Sequence, residues 1–180
     1  YCDDCMRIAR PWVRGRAALV YKDNGRKLVL ALKHGDRQDI VRPAGAWLAR
    51  AARPILQDNM LIAPIPLHWT RLLKRRFNQS ALLAGELARL TGLSLCPDLL
   101  LRSKYTASLE GKGADDRFAT LAGAITAHPK RRHRMAGRHV LLVDDVMTSG
   151  ATMAAAAEAC LSAGARDVSA LSLARVAKDA

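Results

Sequence analysis

Two neighbouring acids, Asp144 and Asp145, are followed after two apolar residues by Thr148, Ser149, Gly150, Ala151 and Thr152. Paired carboxylates at the end of a strand suit the hydroxyls of a ribose, or a magnesium-bound sugar phosphate. The residues after them supply three hydroxyls, a glycine that permits close backbone approach, and the free N–H groups that open a helix. Such a turn carries partial positive charge, so a phosphate dianion is favoured there without any lysine. Carboxylates repel a bare phosphate.

These groups need a rigid platform. Val140, Leu141, Leu142 and Val143 form a continuous apolar run, the pattern of a strand buried on both faces of a parallel sheet. The acids are expected where that strand leaves the core. A helix then runs to Gly164, and Asp167 to Leu173 supplies a strand that completes a strand-helix-strand unit. A strand ending in two acids also marks a Walker B element, but the G-x-x-x-x-G-K-[ST] partner is missing and Gly111-Lys112-Gly113 does not supply it. Receiver domains carry their acids near the first strand, not the penultimate one. A purely structural strand-to-helix turn is the remaining alternative.

Upstream, Arg16 to Lys22 is expected as a first strand and Asp23-Asn24-Gly25 as a turn. Leu28, Val29 and Leu32 fit a short helix ending near His34 and Gly35, with a strand as the alternative, and Lys33 beside them is a minor candidate for a phosphate contact. A longer helix is expected to begin near Asp36 or Asp39, to bury Ile40, Ala44, Trp47, Leu48, Ala51 and Ile55, and to end near Pro54. Leu61 to Pro66 reads as a short apolar strand, and a basic loop from Arg71 to Ser80 follows it. Arg71, Lys74, Arg75 and Arg76 at a strand's carboxyl end suit a pyrophosphate, with Asn78 or Ser80 capping the next helix; a solvated basic face is the alternative. That helix buries Leu83, Leu87 and Leu90 and stops at Gly92. Leu99 to Arg102 and Leu121 to Thr126 read as strands, and polar Ser103 to Arg117 between them as a mobile loop. Pro129 to Arg134 is the densest basic run, either a solvated turn or a nucleic-acid contact without aromatic residues for stacking.

The chain has 180 residues, enough for one domain with a full core, and no apolar run approaches the ~20 residues of a membrane helix. A soluble cytoplasmic protein is expected. Net charge is +13, from 29 Lys plus Arg against 16 Asp plus Glu, which favours polyanionic partners. Cys96 and Cys160 lie in apolar surroundings and read as buried thiols. Cys2 and Cys5 have the C-x-x-C spacing of half a zinc ribbon, so Zn2+ binding needs a further ligand pair that this sequence does not contain; free thiols are the alternative.

The order of apolar strand, Asp144-Asp145, two residues, Thr148 to Thr152 and helix resembles the PRPP-binding motif of the type I phosphoribosyltransferases. By that resemblance the acids hold the ribose hydroxyls of phosphoribosyl pyrophosphate (PRPP), and the stretch from Val146 and Met147 through Thr148, Ser149, Gly150, Ala151 and Thr152 binds its 5-phosphate. The stretch PIPLHWTRLLKRRFNQS, from Pro64 to Ser80, resembles a PVPLH…RGFNQ signature of the ComF family of competence-associated phosphoribosyltransferase-like proteins. The likeness extends to Cys2 to Cys5, Ala31 to Asp36, Thr106 to Arg117, Asp144 to Thr152 and Gly164 to Ala174. Arg76 stands where that family has glycine, Leu109 where glutamine is usual, and Thr120 where asparagine is common. Ser149 for threonine and Met147 for isoleucine keep the chemistry of the phosphate loop.

The resemblance implies an α/β, type I phosphoribosyltransferase fold, with a mainly parallel central sheet flanked by helices. Residues 1–15 are expected as the remnant of an N-terminal cysteine knuckle, a hood or partial zinc-ribbon segment, and 16–180 as the phosphoribosyltransferase domain. It implies Mg2+-dependent transfer of 5-phosphoribosyl from PRPP to a nitrogen acceptor. Asp144, Asp145 and Arg75 take the catalytic roles, Arg71, Arg75, Asn78 and Gln79 the pyrophosphate side, and Lys112 and Arg117 a closing loop. The alternative is a non-catalytic PRPP-binding accessory protein that handles single-stranded DNA, or binds other competence proteins, during natural transformation.

Overall fold

Alternating aliphatic residues set the layers of this molecule. The structure is a computed structural model that describes residues 9–34, 37–103 and 123–177, without the side chains of 34, 71 and 74. Its main sheet contains β1 (Arg14–Val20), β2 (Leu61–Pro64), β3 (Ser94–Leu95), β6 (His139–Met147) and β7 (Asp167–Arg175). All pairings are parallel, in the order β1-β7-β6-β2-β3. The short strands β4 (Leu100–Arg102) and β5 (Ile125–Ala127) form a separate antiparallel pair.

Helices cover both faces, as a parallel sheet requires. Leu141 and Val143 of β6, with Leu171 and Leu173 of β7, meet α1 (Asp23–His34), α2 (Val41–Ala52) and α4 (Gln79–Thr91) through Val29, Leu32, Leu48, Leu83 and Leu87. Val140 and Leu142, with Val168 and Ala170, face α5 (Ala151–Ser162), whose Met153, Ala156, Ala157 and Cys160 are buried. Burial drives the Cys160 thiol up to about 12, and Cys96 is buried as well, so both are inert packing residues. Gly45 lets α2 press onto α4: a Cβ there would lie 2.2 Å from the Glu86 Cγ.

Several expectations change. Asp23 to Gly25 is the first turn of α1 rather than a connecting turn. The expected long helix is split, with 3-10 turns at Gln38–Ile40 and Arg53–Ile55 flanking α2. Trp47 is 41% exposed and Leu90 42% exposed, contrary to expectation. The buried stripe of α2 is Ala44, Leu48 and Ala52 at strict helical spacing, and Trp47 lies beside it. The basic segment is not a loop: Trp69–Arg75 is a short helix, α3, with His68 Nδ1 accepting the Thr70 amide. Its Leu72, Leu73 and Lys74 are good helix formers, which outweighs the clustering of cations. β6 runs through both acids to Met147, because β7 offers pairing partners as far as Arg175. Cys2, Cys5, Lys112 and Arg117, with the rest of 1–8 and 104–122, lie outside the described residues.

Arg76 closes α3 in the left-handed region, at φ +64°. A residue with a Cβ is strained there by about 1–2 kcal/mol, and glycine is not. Arg76→Gly is therefore expected to raise unfolding stability by up to about 1 kcal/mol, read as a higher urea midpoint with an unchanged slope.

Candidate functional site

β6 is longer than its neighbour β2. Val143 pairs with Pro64, and beyond it β6 is paired only on the β7 side, through Met147 and Arg175. The chain leaving β2 returns through α4 on one face of the sheet, whereas β6 leads into α5 on the other. Diverging connections force open a crevice at the carboxyl ends of the two strands, the usual ligand position in such sheets. Here it is a cleft of about 160 Å³, lined by Asp144, Asp145, Ser80, Lys33, Arg75, Gln79, Arg102 and Thr152.

The acids are held differently. Asp144 Oδ1 accepts hydrogen bonds from Ser80 Oγ and from the Asp145 amide, each at 2.9 Å. Asp145 Oδ2 lies 3.3 Å from the Lys33 ammonium. Burial, and next the Asp145 charge, push the Asp144 carboxyl up to about 7, against the Ser80 hydroxyl, the Asp145 amide and Lys33, which favour its ionised form. Its folded-state value thus lies above its unfolded one. The contribution to stability is fully present below about pH 4 and is lost as pH rises through 7.

The loop after β6 turns at Gly150, whose φ is +81°, and enters α5 directly. Thr148, Gly150, Ala151 and Thr152 line a recess of about 20 Å³ that shares Asp144, Val146 and Thr152 with the cleft. The amides of the first α5 turn have no earlier helical turn to bond; that of Ala151 donates to Ser149 Oγ at 3.4 Å, and the rest of the turn presents donors to an anion. Gly150 is also boxed in from behind. A Cβ there would meet the Trp12 ring at 3.2 Å, the Arg10 guanidinium at 3.7 Å and the Met147 sulfur at 3.8 Å. Arg10 stacks on Trp12, 5.7 Å from the ring centroid.

On the other wall, Arg75 Nη1 donates to Gln79 Oε1 at 3.5 Å. Gln79 is 1% exposed, and its Nε2 is a buried donor without a hydrogen-bond partner in the structure. Asn78 is consumed by architecture: its Oδ1 caps α4 by accepting the Ser80 amide, and its Nδ2 donates to the Ile65 carbonyl, both at 3.0 Å. Asp144 to Thr152, Arg75 and Gln79 are thus brought together at one crevice, and the Arg71 side chain lies outside the described part. Pro129 to Arg134 precedes β6 at its amino end, a strand length from the acids. Within it Arg131 pairs with Asp98 at 2.8 Å, and Arg134 donates to the Leu95 carbonyl at 3.4 Å.

Lys33 carried only a weak signal in the sequence, Ser80 read only as a cap, and Arg102 carried none. The Ser80 contact spans 64 residues and has no local signature.

Comparison with known proteins agrees with this fold. The family model described as a phosphoribosyl transferase domain matches residues 78–180. The chain is 26% identical to Competence protein F of Haemophilus influenzae over 180 residues, covering 97% of this chain and 78% of that protein. It is 30% identical to the DNA utilization protein YhgH of Salmonella typhimurium over 179 residues, covering 93% and 74%. Among solved structures, the allosteric regulatory enzyme of purine biosynthesis superposes with a TM-score of 0.53 at 16% identity, over 81% of this chain and 30% of that one.

Two substitutions probe the site's construction. Ser80→Ala removes a hydrogen bond that holds the Asp144 value down, so the Asp144 midpoint is expected to move above 7 in a carboxyl NMR titration, with ~1 kcal/mol of stability lost. Gly150→Ala adds left-handed strain and a contact with the indole, and is expected to cost about 1–3 kcal/mol in urea unfolding.

Proposed function

From the premise that this chain belongs to the phosphoribosyl transferase domain family, in the ComF group of competence and DNA utilization proteins, we propose that it binds PRPP and transfers its phosphoribosyl group to a nitrogen nucleophile. The observation that carries this reading is the placement of Asp144 and Asp145 on the overhang of β6, directly continuous with the recess at the start of α5. A sugar lying over the acids puts its 5-phosphate at the amino end of α5 and its 1-diphosphate toward Arg75 and Gln79 on the opposite wall.

The transfer forms a bond from nitrogen to the anomeric carbon and breaks that carbon's bond to the diphosphate oxygen. Pyrophosphate leaves with the bonding pair, and the nucleophile gives up a proton. Positive charge grows on the ribose ring in the transition state, and ionised carboxylates beneath it stabilise that charge. Arg75 offsets the negative charge growing on the departing oxygens. Holding donor and acceptor in one cleft supplies the remaining advantage.

Magnesium suits this site as an ion carried by the diphosphate. Among the described residues no group of three or more His, Cys, Asp or Glu is placed to hold a metal, and both acids already have protein partners. The ion adds charge neutralisation on the leaving group when bound, while the protein orients the sugar. The names of the relatives, competence and DNA utilization proteins, supply a setting in DNA handling for the second reading, a PRPP-dependent accessory protein that contacts single-stranded DNA. The net charge of +13 is compatible with it, and the salt dependence of oligonucleotide binding tests it.

Thermal stabilisation by PRPP with magnesium is the first measurement. It is expected in the wild-type protein and expected to vanish in Asp144→Asn, Asp145→Asn; an unshifted melting temperature in both proteins contradicts the site. Because Asp144 must ionise, PRPP affinity is expected to rise as pH increases through about 7, and an affinity flat from pH 6 to 8 counts against its role.

A further inference from the structure

Lys33 enters the cleft from the last turn of α1, an element remote in sequence from both the acidic motif and the basic helix. α1 is fixed to the sheet by Val29 and Leu32, both fully buried against the layer that holds Leu171 and Leu173. That anchoring leaves the long lysine stem as the mobile part. Its ammonium lies 3.3 Å from Asp145 Oδ2, with the two side chains 21% and 12% exposed. A pair at this depth contributes little net stability, because stripping water from both charges offsets their attraction. The contact also occupies an oxygen that the sugar needs.

The same ammonium lines the cleft with Arg75 and Arg102, so three cations and two carboxylates face one space. Lysine suits a change of partner: it is a point charge with three rotatable donors on a flexible stem, without the fixed fork of an arginine. A diphosphate offers it more negative charge than one carboxylate does. We infer that Lys33 is an exchangeable counter-ion, which holds Asp145 until the donor arrives and then passes to the diphosphate oxygens, releasing Asp145 for a ribose hydroxyl. The inference rests on the PRPP reading above and names the residue that couples occupation of its two halves. Binding of the diphosphate frees the sugar acid, so the complete donor is favoured over either fragment. Lys33 is on this account a ligand contact for the leaving group, and its charge makes Asp145 available only when that group is present.

Calorimetric titration of the intact chain with PRPP plus magnesium, pyrophosphate plus magnesium, and ribose 5-phosphate separates the possibilities. For Lys33→Met the expected result is at least a tenfold loss of affinity for PRPP and for pyrophosphate. Affinity for ribose 5-phosphate is expected to hold or increase, since nothing competes for Asp145. Lys33→Arg keeps the charge and is expected to recover most of the PRPP affinity, while Lys33→Gln serves as the neutral variant if the methionine variant does not fold. Equal losses for all three probes mean that Lys33 only anchors Asp145, and unchanged PRPP affinity means that it is a spectator; either result overturns the exchange. Wild-type protein that binds neither PRPP nor ribose 5-phosphate overturns the parent reading itself. Wild-type binding with all three affinities unaltered in Lys33→Met overturns the exchange alone.

Discussion

Adjacent carboxylates on a strand emerging from an apolar sheet repel each other in a medium that screens them poorly, and elements far apart in the chain converge on that repulsion. α4 brings the Ser80 hydroxyl to Asp144, and α1 brings the Lys33 ammonium to Asp145. α4 starts where it does because Asn78 caps it and ties it to the Ile65 carbonyl. α1 is located by β1, which joins the sheet only through β7. The burial that raises Asp144 thus depends on both edges of the fold being assembled.

What the sequence disclosed was local. Strand, acids, hydroxyl loop and helix lie within one continuous segment, and an apolar run followed by a glycine turn keeps its meaning without tertiary context. The C-terminal stop at Gly92, and a cap at one of Asn78 and Ser80, were legible for the same reason; the structure selects Asn78. Trp47 misled because helical spacing identifies a broad face, and the small Ala44 and Ala52 win the centre where α2 lies against the sheet and α4. The α3 segment misled because cation density suggests a loop, whereas leucine and lysine propensity with a His68 cap suffices for two turns. Lys33 and Arg102 reach the cleft only by three-dimensional closure.

Part of the positive charge is spent within the fold itself. Arg131 is committed to Asp98, and Arg138 donates to the Asn59 carbonyl at 3.0 Å and the Met60 carbonyl at 3.3 Å, joining the entrances of β2 and β6. At the amino ends of the strands Arg131 and Arg138 serve as clamps on an exposed acid and on backbone oxygens. Cations at the carboxyl ends line the cleft. The same residue types therefore do different work at opposite poles of one sheet.

The pairing of β1 with β7 carries a consequence for synthesis. Val20 finds its partner in Arg175, so β1 has no permanent neighbour until β7 has left the ribosome. At ~5–20 residues per second that interval is on the order of 10 s, during which an edge strand and its attached helix wait unpaired. β2, β3 and α4 can meet earlier, but the helix that carries Lys33 is seated only once β7 has emerged. A chain cut short before β7 consequently holds the β2 and α4 wall of the cleft without the Lys33 ammonium, and β1 with its attached helix is the part left open to capture by chaperones.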